Sequence, residues 1–279
     1  MTNRSDQVNS EVKELNDLIH ILKNGEGLYL GLLGSACHKK LDLVGDLDVL
    51  IVVENMNKTV YQEILKVSRT ICTALTKKTG RQWGLEDRQS PLKPEPHSKR
   101  QQLHLCLHDK ASIIAMSLAM SLLFISKSRL IWGMPLASIL SPPRSAALIL
   151  KSCLEEVKRA KDSLRDNLII TRYWDFSGRP CIISSRIKTE DKWLRRCLLR
   201  NCSGIADRVC IEVLSFFPDL LMAFVSERPT IYKEIENDLK NWNALSEPRW
   251  NSINKKVQIL LDEHILWLNQ ALIVIGDTN

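Results

Sequence analysis

The eight cysteines include no C-x-x-C pair, and several of them sit inside apolar runs. That pattern argues against a zinc site or a disulfide framework and for reduced, buried thiols. No apolar stretch reaches the roughly 20 residues that a membrane-spanning helix needs. The longest, residues 111–125, is interrupted by three serines and reads as a buried helix. The first ten residues, MTNRSDQVNS, lack the apolar centre of a secretory signal, so a cytoplasmic protein with no membrane partner is expected. There is no internal repeat, low-complexity tract or basic tail. The formal charge of +7 is shared between the two parts of the chain, with 18 Lys+Arg against 14 Asp+Glu in residues 1–141 and 21 against 18 in residues 142–279. Such a balance suits a protein that handles phosphates, but it also occurs in proteins that do not. Glycine is thin in the second half: eight of the eleven occur by Gly133, whereas five of the seven tryptophans follow it. Few turns and long periodic apolar stretches imply helices there.

What is present is organised around residues 29–54, YLGLLGSACHKKLDLVGDLDVLIVVE. Two apolar runs, residues 28–33 and 49–53, have the length and composition of buried strands. Between them stand Gly34-Ser35 and, after ten residues, Asp46 and Asp48 flanking Leu47. A strand sends residues i and i+2 to the same face, so the two carboxylates point the same way. Like charges so placed repel unless a cation sits between them. Mg2+ suits the need, because it takes one or two carboxylates and keeps its other positions for water and substrate phosphates. Glycine lets backbone approach a ligand closely, while the serine hydroxyl and the amides of the turn can donate to phosphate oxygens.

A strand ending in Gly-Ser, a gap of about ten and a strand carrying Asp-x-Asp resemble the signature of the polymerase-β-like nucleotidyltransferase superfamily. The likeness covers residues 11–135 and rests on the ordered combination, since either half alone is common. It implies that Asp46 and Asp48 hold metal ions and that Gly34 and Ser35 grip a nucleoside triphosphate. The cofactor would be Mg2+, with Mn2+ as an alternative. Lys39 or Lys40 would lie near the phosphates, and Lys93 and Arg88 are further nucleotide-binding candidates. A third carboxylate usually comes from a neighbouring strand, yet Leu103-His104-Leu105 offers no acid. Glu86 in LEDR is the first candidate for that catalytic and metal-binding place. Asp87, His104 as a polar stand-in, and no third ligand stay open beside it. Asp87 would face away from Glu86, so only one of the two can serve.

The expected order in the first half is helix, strand, strand, helix, strand, strand. A helix over residues 11–23 has Ser10 as its cap, and a second runs from a cap at Asn57 to a stop at Gly80. Strands follow at residues 81–88 and 103–107. The fold expected is α+β: a small mixed sheet with packed helices over residues 1–136, then an all-α domain over residues 137–279 that binds substrate or a partner. Residues 168–186 read as an irregular stretch packed on those helices. Lys192, Arg195, Arg196 and Arg200 share one helix face by their spacing, either to meet phosphates or to face solvent. Tyr173 and Trp174 could stack on a base, although core packing is the usual role of such residues. The expected activity is transfer of a nucleoside monophosphate from a triphosphate to an acceptor hydroxyl, with pyrophosphate released. The acceptor (RNA, protein or small molecule) and the oligomeric state stay open. A nucleotide-binding or antitoxin-like interaction protein without turnover is the alternative.

Overall fold

The computed structural model describes residues 13–37, 46–92, 100–143, 145–226 and 231–276. Helix α1 (Asn16–Asn24) buries Leu18 and Leu22 and leads into strand β1 (Gly27–Leu33). Its expected cap, Ser10, lies outside the described residues. Strand β2 (Asp46–Val53) follows, and then helix α2 (Lys58–Thr79). Both ends of α2 are where the sequence puts them. Asn57 Oδ1 accepts from the Val60 amide at 3.0 Å, and Gly80 leaves the helix at φ 67°, a left-handed turn that suits a residue without Cβ.

Strands β3 (Gln82–Glu86), β4 (Arg100–Asp109) and β5 (Ser128–Gly133) complete a mixed sheet in the order β3-β4-β2-β1-β5. β2 and β3 pair in parallel with β4, while β1 runs antiparallel to both β2 and β5. Along β2 the side chains separate cleanly. Leu47, Val49, Ile51 and Val53 join Leu30, Leu32, Leu103, Leu105 and Leu107 in a core with α1 and α2. Leu50 and Val52 join Tyr29, Leu33 and Cys106 on the other face. That second face is covered by Ile113 of α3 (Lys110–Ile114) and by Leu136 and Ile139 of α5 (Leu136–Leu140).

The apolar stretch at residues 111–125 is two helices, because the Ser117 hydroxyl caps a new one, α4 (Leu118–Lys127), at the Met120 amide. Ala119 and Leu122 of α4 leave the sheet and enter the helical core. That core is formed by α6 (Ala146–Arg165), α7 (Lys192–Gly204), α8 (Cys210–Leu214), α9 (Pro218–Ser226), α10 (Ile231–Asp238) and α11 (Glu247–Gly276). A π turn at Ile205–Val209 joins α7 to α8. Leu150, Cys153, Trp250, Ile253, Val257 and Leu260 are at most 1% exposed. Fully burying a leucine or isoleucine contributes about 1.5–3 kcal/mol, so this cluster holds the second half together.

The second half is not all helical. Residues 168–186, expected to be irregular, belong to an antiparallel hairpin, β6 (Leu168–Asp175) and β7 (Cys181–Lys188). Its base enters the helical core through Ile169 and its tip enters the sheet core through Trp174. The hairpin thus fastens the two halves together. Trp174 Nε1 and Gln89 Nε2 both donate to the Leu107 carbonyl at 3.0 Å, where β4 has outrun the shorter β3. Gln89 also exchanges two backbone hydrogen bonds with Arg172, at 2.8 and 2.9 Å. No helix among the described residues is long and apolar enough to cross a membrane.

Candidate active site

The register of the sheet sets the site. Asp48 lies opposite Leu33 of β1 and His104 of β4, and His104 lies opposite Glu86 of β3. Partners across a ladder share a face, so Asp48, His104 and Glu86 form one row, with Asp46 two residues back on the same side. This is the Leu50 and Val52 face. Asp46 and Asp48 are partly buried where Leu47 between them is fully buried, as the alternation requires.

The turn after β1 closes on that row. Gly34 has φ 60°, and a Cβ built on it would stand 3.5 Å from Asp48 Oδ2. The short turn Gly34–Cys37 is pinned from behind. Cys37 Sγ donates to the carbonyls of Leu32 (3.1 Å) and Lys127 (3.2 Å), and Arg129 Nη1 donates to the Cys37 carbonyl at 3.1 Å. Burial pushes the Cys37 thiol up, which suits a packing and donating role over a nucleophilic one. Gly34 is therefore beside Asp48, and Ser35 follows it in the same turn. The Ser35 side chain, Lys39, Lys40 and Lys93 lie outside the described residues.

His104 joins the strands of the row. Its Nδ1 is 2.8 Å from Asp48 Oδ1, and its Nε2 is 2.9 Å from the Arg88 carbonyl. A carbonyl oxygen only accepts, so Nε2 carries a hydrogen. Arg88 in turn grips Glu86: its amide and Nε donate to Oε1 at 3.0 and 2.8 Å, and Nη2 donates to Oε2 at 3.0 Å. Burial pushes the Glu86 carboxyl up, but the hydrogen bonds and charge of Arg88 outweigh it and hold the group below its ordinary value. Asp87 faces the other way, as expected, and accepts a short hydrogen bond from Tyr61 of α2. Burial first, and then Asp87, raise the Tyr61 hydroxyl. Beyond Cys106 on the same face of β4, burial pushes His108 down to about 4, so it is a neutral packing group.

Glu86 and Asp48 thus share a row, with His104 between them and Arg88 on Glu86. Among the described residues, no three of His, Cys, Asp and Glu are grouped to hold one metal ion. Asp46 and Asp48 are donors of the kind a hard divalent cation takes, such an ion filling its other positions with phosphate and water. Sequence reasoning did not foresee Arg129, because nothing local marks its reach to the turn.

The basic face of α7 is used within the protein. Lys192 Nζ donates to the Leu245 carbonyl at 3.0 Å, and Arg195 bonds Glu247 at 2.8 and 3.1 Å while lying over Trp250. Arg196 Nε donates to the Leu239 carbonyl at 3.2 Å, and its guanidinium covers Trp193. Of the two aromatic residues on β6, Trp174 is core and Tyr173 is exposed. All eight cysteines are free, and seven are buried, as their setting in apolar runs implies.

No protein-family model matches the chain. No curated protein matches it either. Among solved structures the chain is similar to spectinomycin adenyltransferase AAD(9) from Enterococcus faecialis with ATP and spectinomycin, at 13% identity and a TM-score of 0.48, covering 94% of this chain and 99% of that one. So distant a likeness says nothing by itself about what this chain does.

Proposed function

We propose that the protein is a nucleotidyltransferase that moves a nucleoside monophosphate from a nucleoside triphosphate to an acceptor hydroxyl, with release of pyrophosphate. One observation carries the reading: the Gly34 turn lies against Asp48 on the sheet face that also presents Asp46, His104 and Glu86. That proximity, set by a ladder register that the motif alone does not determine, supports a turn that grips phosphate beside carboxylates that hold a metal. Asp46 and Asp48 would hold Mg2+ or Mn2+, which when bound would polarise the phosphate and offset charge on the leaving pyrophosphate. Backbone amides of the Gly34–Cys37 turn donate to phosphate oxygens, and Arg129 keeps that turn in place. Arg88, whose side chain is 49% exposed, has room to meet a phosphate. Glu86, 11% exposed and ionised, lies one strand beyond His104 and would serve as the base that takes the proton of the acceptor hydroxyl. Most of the rate would come from positioning and charge neutralisation.

A second reading is nucleotide binding without turnover. It is favoured by the Arg88 grip on both Glu86 oxygens and by His104 standing between Glu86 and Asp48. Incubating the protein with each labelled triphosphate, Mg2+ and total RNA or lysate protein separates the two. Pyrophosphate release that disappears in Asp48→Ala supports transfer. Binding without release supports the second reading, and neither binding nor release refutes both.

A further inference from the structure

We infer that the protein pairs with a second copy of itself through the outer face of α11, the two helices running antiparallel about a two-fold axis at Leu266. Ile259, Leu266 and Ile273 recur at intervals of seven along α11 and are 39%, 59% and 63% exposed. Val257, Leu260, Leu261 and Leu268, on the opposite side of the helix, are buried in the core. The solvent side of a surface helix is ordinarily polar, whereas an apolar residue at every seventh position is the seam by which one helix packs on another. The stripe also runs through a stretch without charge. Residues 264–276 contain no Asp, Glu, Lys or Arg, in a chain of which 25% is charged, and depletion of charge marks the centre of an interface. Helix α9 lies beside the same turns. The Phe224 ring centre is 5.2 Å from that of His264 and 4.9 Å from that of Trp267, and the nearby Met222 and Val225 are 73% and 50% exposed.

A second copy is the occupant because the pattern is its own complement. With the helices antiparallel and Leu266 opposite the partner's Leu266, Ile259 meets the partner's Ile273, so every level of the seam is apolar on both sides. The polar margins match as well. Asp262 stands near the partner's Asn269 on one flank, and Glu263 near the partner's Gln270 on the other, so each carboxylate meets an amide able to donate to it. Asn269 Nδ2 donates one hydrogen to the Ile265 carbonyl and keeps a second. Parallel helices would set Asp262 and Glu263 beside their own copies, where like charges repel. The size is also adequate. The three stripe residues with Met222 and Val225 expose on the order of 500 Å², and the polar margins bring the face to about 800 Å², the share of one partner in a standard interface. A two-fold pair of this kind is closed and leaves neither copy of the face open.

Sedimentation equilibrium of the full chain, from nanomolar to high-micromolar concentration, shows reversible conversion of monomer to dimer. Leu266→Glu sets two carboxylates against each other on the two-fold axis. It raises the dissociation constant at least about thirtyfold, while far-ultraviolet circular dichroism keeps its helical signal. Cross-linking reads the register. Among the described residues Cys181 is the exposed cysteine, so the background is Cys181→Ser. There, Leu266→Cys oxidised with diamide gives a disulfide-linked dimer by itself, and Ile259→Cys and Ile273→Cys link to each other only when the two proteins are mixed. A monomer at every concentration overturns the inference and leaves the face to a helix of another protein. A dimer that survives Leu266→Glu unchanged, or an Ile259→Cys protein that links to itself, overturns the face or the direction of pairing.

Discussion

Two clusters of charge in this molecule look equally suited to phosphate before folding, and folding treats them oppositely. On α7, Lys192, Arg195 and Arg196 are consumed by the Leu245 and Leu239 carbonyls, by Glu247 and by indole faces. On the sheet, Asp46, Asp48, Glu86 and Arg88 are gathered at one end of a face whose other end is closed by α3 and α5. Burial pushes Arg196 down, with Arg200 adding to the effect, as expected for a cation committed to packing. Arg88 is instead raised by its hydrogen bonds with Glu86 while half its side chain stays exposed. A run of like charge at helical spacing is thus poor evidence for a binding face. Charges brought together by ladder register from strands distant in sequence are better evidence.

The comparison can be broken at several points. Asp48→Ala should lower pyrophosphate release by about a thousandfold or more, since it removes one of the two carboxylates proposed to hold the metal. Trp250→Ala should cost about 3–5 kcal/mol in denaturant unfolding, because its indole is 1% exposed in the helical core. That change attacks stability where Asp48→Ala attacks chemistry. Gly34→Ala places a side chain on backbone at φ 60°, a strain of about 1–2 kcal/mol. Nucleotide affinity should fall about tenfold, the equivalent of about 1.4 kcal/mol, and calorimetric titration reads it. Arg195→Ala should cost under about 1 kcal/mol, because Arg195 and Glu247 are both substantially exposed, and it should leave nucleotide binding unchanged. A large loss of binding there would restore α7 as a phosphate face.

Acid titration sharpens the sheet side. The Glu86 carboxyl is held below its ordinary value of 4.5. Its contribution to stability is therefore present above that value and is lost as pH falls through the lower, folded-state value. Arg88→Ala removes the partner and leaves burial, which raises the group. A raised carboxyl gives its stability below 4.5 and loses it as pH rises, so the Glu86 share of the acid-side loss should vanish in the variant, with stability falling less between neutral and acid pH than in the wild type, as followed by denaturant unfolding at each pH. An unchanged acid-side loss would mean that Arg88 does not hold Glu86 in solution.

Much of this was legible in the sequence where the cause is local. Asn57 and Gly80 bound α2 by their own chemistry, and the spacing of Asp46 and Asp48 puts both on one face without reference to the rest of the chain. The hairpin was not legible, because its buried side changes along its length. Ile169 and Thr171 are buried near the base and Trp174 near the tip, so no period of two survives. β5 was missed as a strand because its six residues are only partly buried or exposed, with no core-facing alternation. Nor could the α7 partners be seen: Leu239, Leu245 and Glu247 lie some 40 to 50 residues away. The same holds for His104, whose bond to Asp48 spans 56 residues and exists only through the β2–β4 register.

The most direct measurement of the central claim is calorimetric binding of nucleoside triphosphates to the wild type and to Asp48→Ala, each with Mg2+ and with the metal chelated. The account predicts binding by the wild type that needs the metal and is lost in the folded variant. Binding that is equally strong without metal, or in Asp48→Ala, would contradict it.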